Sequence, residues 1–223
     1  MFDPNQKKSS ALFPDFLVDG AAIKEARAKG LSILLIHPRT LITPLARDLA
    51  RDYNLEIQVY SPSPEVETPG NTVALGADHG GYALKETIKE ALVEWKYEVL
   101  DMGCHSTNSV DYPDFAYKVA SAVSTGKVWR GIMIDGVGIG STMMANKVAR
   151  VRCALCHNLF EIKNSRGHNN ANMLCIGGQT LGVALSKEMV KIWLAEPFEG
   201  GRHAKRVAKI DDLDRGEPPL LPE

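Results

Sequence analysis

The run from Arg130 to Thr142, RGIMIDGVGIGST, constrains this chain more than any other stretch. Gly131 to Ile134 is an apolar run as long as one buried strand of a parallel sheet. Gly136, Gly138 and Gly140 alternate through the turn that follows, and Ser141 with Thr142 offers an N-cap for a helix over 141–148. A strand, a glycine turn and a helix start aim backbone N–H groups at one place, which suits an anion. Asp135 stands at the carboxyl end of that strand, where open α/β sheets hold their ligands. The segment alone equally admits a tight turn that this Asp caps.

The pattern around it is regular from Thr72 onward. Strand-like runs at 73–77, 97–101, 132–135, 151–155 and 173–177 alternate with helical patterns at 84–94, 115–124, 141–148, 159–165 and 181–195. That alternation predicts an α/β fold with a mostly parallel five-stranded sheet and right-handed crossovers. A short helix is expected at 203–210, and a loose tail with three prolines at 213–223. Upstream, residues 1–60 read as a small α/β extension. Leu17, Val18, Ala21, Ala22 and Ala26 recur at helical spacing and Gly30 can stop that helix. A strand is expected at 33–36, a helix opened by Thr43 and Pro44, and a strand at 55–60. Residues 61–71, rich in Pro and Ser, read as a linker to the main domain at 72–212.

Composition removes several classes of function. A chain of 223 residues suits one domain with an appendage. A formal net charge of -1 with no basic block argues against nucleic acid. No apolar run approaches the roughly 18 residues that span a bilayer, and the polar stretch 1–11 lacks a signal core. Four scattered Cys do not make a disulfide framework, so a cytoplasmic setting is expected.

Five further clusters stand out in or near the predicted elements. Asp78 and His79, backed by Gly80 and Gly81, can shuttle protons or hydrogen-bond sugar hydroxyls; a helix cap beside a solvated His is the plainer reading. Tyr112, held extended by Pro113, can point its hydroxyl into a pocket, with a helix N-cap expected at Asp114. His168 and Asn169 belong to a polar segment that enters an apolar strand, and Gln179 follows that strand's closing glycines. Arg202 and Arg206 share one helix face, which suits either a phosphate or solvent. Cys153 and Cys156 have CxxC spacing but are expected to be core thiols on opposite faces of a strand.

Taken in order, the segments GADHGG at 76–81, DYP at 111–113, GVGIG at 136–140, ANK at 145–147, His168-Asn169 and EGGRH at 199–203 resemble the type B ribose-5-phosphate isomerase family, which includes galactose-6-phosphate and allose-6-phosphate isomerases. The resemblance covers 72–212. It implies a Rossmann-like three-layer sandwich, a homodimer or dimer of dimers with active sites at the subunit interface, and aldose–ketose interconversion of a sugar phosphate without metal or cofactor. By position, Asp78 and His168 would assist ring opening, and His79, Arg202 and Arg206 would hold the phosphate. Tyr112 and Asn169 would contact the sugar. The backbone of Gly136, Val137, Gly138 and Gly140 would cradle enediolate oxygens, in agreement with the anion site read above.

The chain departs from the family where the chemistry is centred. Many members carry a catalytic Cys at the position of Asp135, others a Glu at the position of Ser141, and most an Arg at the position of Gln179. A carboxylate can still serve as the base, so Asp135 is expected to move the C2 proton. The run 41–50 is similar to short segments of bacterial microcompartment enzymes, which implies an encapsulation or partner-binding role. An extension that packs on the core or lengthens the dimer interface is the alternative.

Overall fold

The computed structural model describes residues 10–13, 17–36, 40–59, 70–214 and 216. Contacts divide the chain into two compact units, 1–65 with 210–223, and 66–209. Of the expected linker only Gly70 and Asn71 fall within the described residues, and the tail beyond Gly216 falls outside them.

In the smaller unit, strands β1 (Ser10–Leu12), β3 (Ile33–Ile36) and β5 (Glu56–Val59) form a parallel sheet in the order β1-β3-β5. A second parallel pair joins β2 (Leu17–Val18) to β4 (Leu41–Ile42). Helices α1 (Gly20–Ala28) and α2 (Pro44–Asp52) follow β2 and β4, so one succession of strand, short strand and helix runs twice. Both helices open in the same way. Asp19 accepts the Ala22 N–H at 2.9 Å and Thr43 accepts the Ala46 N–H at 3.2 Å. Leu17 and Val18, read from spacing as helix, are therefore strand, because the capping Asp19 stands after them. Val18, Ile23, Leu34, Ile36, Ala46 and Leu55 fill the core between these elements.

The larger unit is built on β6 (Thr72–Ala77), β7 (Glu98–Gly103), β8 (Arg130–Asp135), β9 (Cys153–Leu155) and β10 (Met173–Gly177). All pairings are parallel, in the order β7-β6-β8-β10-β9. The helices between them are α3 (Tyr82–Glu94), α4 (Tyr112–Ser124), α5 (Ile139–Ala145), α6 (Leu159–Gly167) and α7 (Val183–Ala195), with α8 (Arg202–Asp214) last, its residues 210–214 counted with the smaller unit. Side chains alternate between two cores. Val73, Leu75, Ile132, Ile134, Leu174 and Ile176 meet Ile88, Ile162, Met189 and Trp193 on one face. Ala74, Met133, Met173 and Cys175 meet Val119, Ala120 and Ala145 on the other. The result is a three-layer Rossmann-like sandwich, as expected.

Cys153 and Cys156 do fall in opposite cores. Burial pushes the Cys156 thiol up to about 11, and the neighbouring Cys175 thiol, with burial, pushes Cys153 well up. Both are protonated fillers, not thiolates. No helix among the described residues is long and apolar enough to cross a membrane.

Candidate active site

Strand β6 lies between β7 and β8, and its chain leaves toward one neighbour while the other returns from the far side; at such a switch a crevice opens beyond the carboxyl ends. Asp78 follows β6 directly, its N–H donating to Ile134 O at 3.1 Å and its Oδ1 accepting from the Gly81 N–H at 2.9 Å. Asp78 is buried, and His79 beside it is exposed. His79 Nδ1 accepts the Val110 N–H at 3.2 Å, which leaves the proton of the neutral ring on Nε2.

Asp135, 5% exposed, closes β8. Its Oδ1 accepts the N–H groups of Val137, at 2.8 Å, and of Gly138, and its Oδ2 accepts that of Ser141 at 3.2 Å. The carboxylate thus fills the anion site of its own glycine turn. Gly138 holds φ +92° and is the N-cap of α5, so the helix begins at Ile139. Ser141, expected to cap that helix, lies inside its first turn instead; it is sealed from solvent and its Oγ has no hydrogen-bond partner.

Two more predicted residues join this group. Tyr112 is not extended but the first residue of α4, because Asp111 takes the N-cap position and Pro113 fits the first turn; Asp114 is therefore inside the helix. Its ring lies over Gly140, where an added Cβ would stand 2.5 Å from Cε2 and Cζ. Gln179 donates its backbone N–H to Gly136 O at 3.0 Å, and its amide would meet a Cβ at Gly80 within 3.3 Å. Asp78, His79, Tyr112, Asp135, the 136–141 turn and Gln179 accordingly form one cluster.

The remaining predicted residues form another. His168 and Asn169 precede β10, whereas Gly178 and Gln179 follow it, so the strand's length of roughly 15 Å separates the clusters. Glu199 donates its N–H to Gly167 O at 3.0 Å, which brings the 196–203 segment to the same, amino, end of the sheet. Arg130, starting β8, anchors that end by donating to Trp193 O and Leu194 O at 2.7 and 2.9 Å. Arg202 and Arg206, both exposed, stand on α8 here. No hydrogen bond, ion pair or ring contact among the described residues joins the two clusters.

Asn164, Glu199 and His203 complete the second cluster, and the sequence reading gave them no role. Their signal was helical spacing, four residues from Asn164 to His168 and four from Glu199 to His203. The His168 and His203 rings stack 4.0 Å apart at 8°. Glu199 Oε2 lies 3.5 Å from His168 Nε2 and 3.7 Å from His203 Nε2. Burial, then the neighbouring His168 and Arg202, hold His203 below the usual imidazole range. One donor atom from each of His168, Glu199 and His203 lies within 4.8 Å of the others. They do not fit an ion as they stand, because an imidazole lone pair lies in its ring plane and nearly parallel stacked rings share no such point. Arg202 Nε, 3.3 Å from His203 Nε2, also occupies that nitrogen.

The family described as Ribose/Galactose Isomerase matches residues 73–210. The chain belongs to that family. This isomerase is similar to ribose-5-phosphate isomerase B of Escherichia coli, with 41% identity over 143 residues, 64% of this chain and 96% of that protein. It is also similar to D-erythrulose-4-phosphate isomerase of Pectobacterium atrosepticum, at 39% over 147 residues, 66% of this chain and 97% of the relative. Among solved structures, ribose-5-phosphate isomerase B of Clostridium thermocellum is 46% identical with a TM-score of 0.64, covering 65% of this chain and 98% of that one. All three similarities leave about a third of the isomerase unmatched.

Proposed function

We propose that this isomerase interconverts a phosphorylated aldose and its ketose through a cis-enediolate, at a site made from two copies of the chain. The reaction class is aldose–ketose isomerisation of a sugar phosphate; ribose 5-phosphate with ribulose 5-phosphate, or a related pair, is the substrate we assign. The observation that carries this reading is the separation of the two clusters along β10. Acid–base and oxyanion groups stand at the carboxyl end, while His168, Asn169, Arg202 and Arg206 stand at the amino end. A homodimer or dimer of dimers that sets one end against the other supplies both halves to one substrate.

In that site Asp78 takes the O1 proton as the sugar ring opens, with His168 assisting. Arg202 and Arg206 offer planar donors to the phosphate, with His79 Nε2. Tyr112, Asn169 and Gln179 contact the sugar. Asp135 transfers the proton between C2 and C1: both lone-pair directions of Oδ1 are taken by the turn, and Oδ2 keeps one beside the Ser141 bond. We place the enzyme in the cytoplasm, and the smaller unit is the part open to a microcompartment or dimer-extending contact.

A second reading has one observation in its favour. The turn's N–H groups, which would bind enediolate oxygens, already bind Asp135. A chain so capped could bind a sugar phosphate without turning it over. Proton NMR in D2O with four-, five- and six-carbon aldose and ketose phosphates separates the two. Deuterium entering C2 of an aldose or C1 of a ketose, with conversion to the partner, supports the isomerase and identifies its sugar. Ligand-induced shifts without exchange support the binding protein.

A further inference from the structure

The ring of His168 is held by a chain of hydrogen bonds whose direction follows from one end. Asn169 Nδ2 lies 3.4 Å from the backbone O of Asn164, which can only accept, so the group there is the Asn169 amino group. The same group lies 3.3 Å from Asn164 Oδ1, so the oxygen of Asn164 faces Asn169 and its amino group faces away. That amino group lies 2.8 Å from His168 Nδ1. Nδ1 is therefore the acceptor, and a neutral imidazole then carries its proton on Nε2. Turning both amides over would set the Asn169 oxygen against a carbonyl oxygen, acceptor against acceptor.

We propose that Asn164 and Asn169 are positioning residues that hold His168 as its neutral Nε2–H tautomer, so that it gives a hydrogen bond, not a proton, to the ring oxygen of a closed sugar phosphate. This deepens the isomerase reading above and rests on it. The groups facing the ring are Asn164 on α6, Glu199 from the 196–201 segment, and His203 with Arg202 behind it on α8. Glu199 Oε2, 3.5 Å away on a side chain 56% exposed, is a long and displaceable partner for the Nε2–H, which can turn to an arriving oxygen. An imidazolium would point a second N–H from Nδ1 at the Asn164 amino group, donor against donor.

The ring-opening step then balances without a proton from His168. The bond from C1 to the ring oxygen breaks and its electron pair stays on that oxygen. The O1 proton leaves to Asp78 as C1=O forms, and Asp78 returns it to the ring oxygen. His168 stabilises the developing negative charge and keeps its own hydrogen, as a neutral imidazole does for a carbonyl in triosephosphate isomerase.

The test is a 15N–1H correlation spectrum of the imidazoles in the full chain near neutral pH, with His168 identified by the signals lost in His168→Gln. The expected spectrum shows the proton of His168 on Nε2. In Asn164→Asp a carboxylate oxygen replaces the amino group, and the proton is expected on Nδ1. That variant should lose about 10²-fold in kcat on a ring-closing pentose 5-phosphate with KM within about twofold. It should stay within about twofold of wild type on a four-carbon 4-phosphate, whose phosphate blocks ring closure. A wild-type His168 protonated on Nδ1 or on both nitrogens overturns the proposal, as does an equal loss on both sugars. The spectrum needs no turnover, so a chain inactive on every sugar phosphate would sink the isomerase reading and leave the tautomer decided.

Discussion

Asp135 Oδ2 accepts the N–H of Ser141 at 3.2 Å, while the buried Ser141 hydroxyl finds no partner. Asp135→Asn keeps an oxygen for Val137 and Gly138 but sets an amino group against the Ser141 N–H. We expect turnover to fall at least ~10²-fold and the fold to lose about 1–3 kcal/mol, with inorganic phosphate affinity unchanged. Rates by NMR, melting, and phosphate titration read the three effects; a variant with near-normal rates would show that Asp135 is not the base.

Ser141→Ala removes a buried hydroxyl that the free protein leaves unsatisfied. The free protein should gain up to about 1 kcal/mol while kcat/KM stays within about twofold, because a hydroxyl sealed from solvent does not reach the substrate. A larger loss of kcat/KM in a variant that melts no lower would mean that the hydroxyl meets the substrate after all.

Lys85, with no exposed side-chain surface, lies 2.9 Å from Asp101, and Lys89 lies 2.6 Å from the same carboxylate. Burial would raise the Asp101 carboxyl, but Lys89, the Gly103 N–H and Lys85 outweigh it and hold it at about 2, against 3.8 for the free group. The unfolded chain thus binds more protons between those values. About 2 kcal/mol of stability is complete above pH 4–5 and is lost as pH falls from about 4 toward 2. Asp101→Asn should cost about 3 kcal/mol at neutral pH and flatten that acid limb in a denaturation series.

His203 titrates below the 6.5 of a free imidazole, held down by burial and then by His168 and Arg202. A group lowered in the folded state binds more protons when unfolded, so its contribution is intact above pH 6.5 and is lost as pH drops below it. The melting temperature of wild type minus that of His203→Gln should shrink over that window. A difference that grows on acidification would reverse the sign and refute the assignment.

Gly140→Ala should raise KM about 10-fold with little change in melting. The new Cβ would stand 2.5 Å from the Tyr112 ring, which is exposed enough to swing away. Tyr112→Ala beside it should make the added methyl nearly silent in a double-mutant cycle.

Strand and helix alternation from Thr72 onward was legible because two-sided burial writes apolar runs and one-sided burial writes helical stripes. Starts were less so. Gly138, with φ +92°, caps α5 without a polar side chain, and Leu17-Val18 is a two-residue strand too short to repeat an alternation. In the site, residues after strands were visible as polar punctuation of apolar runs. Their division into two clusters was not, since whether His168 stands before β10 and Gln179 after it means little until β10 is known to separate them. The hydrogen-bond ladder from Asn169 to His168 depends on amide orientations that sequence does not encode.

The spacing of the clusters along β10 also reaches beyond the single molecule. Where each working site borrows half its groups from a neighbour, output follows the number of encounters between chains. At low abundance, doubling the dose of chain would quadruple the flux. A cell carrying one copy damaged at Asp78 and another damaged at His168 would still assemble some whole sites from the mixture.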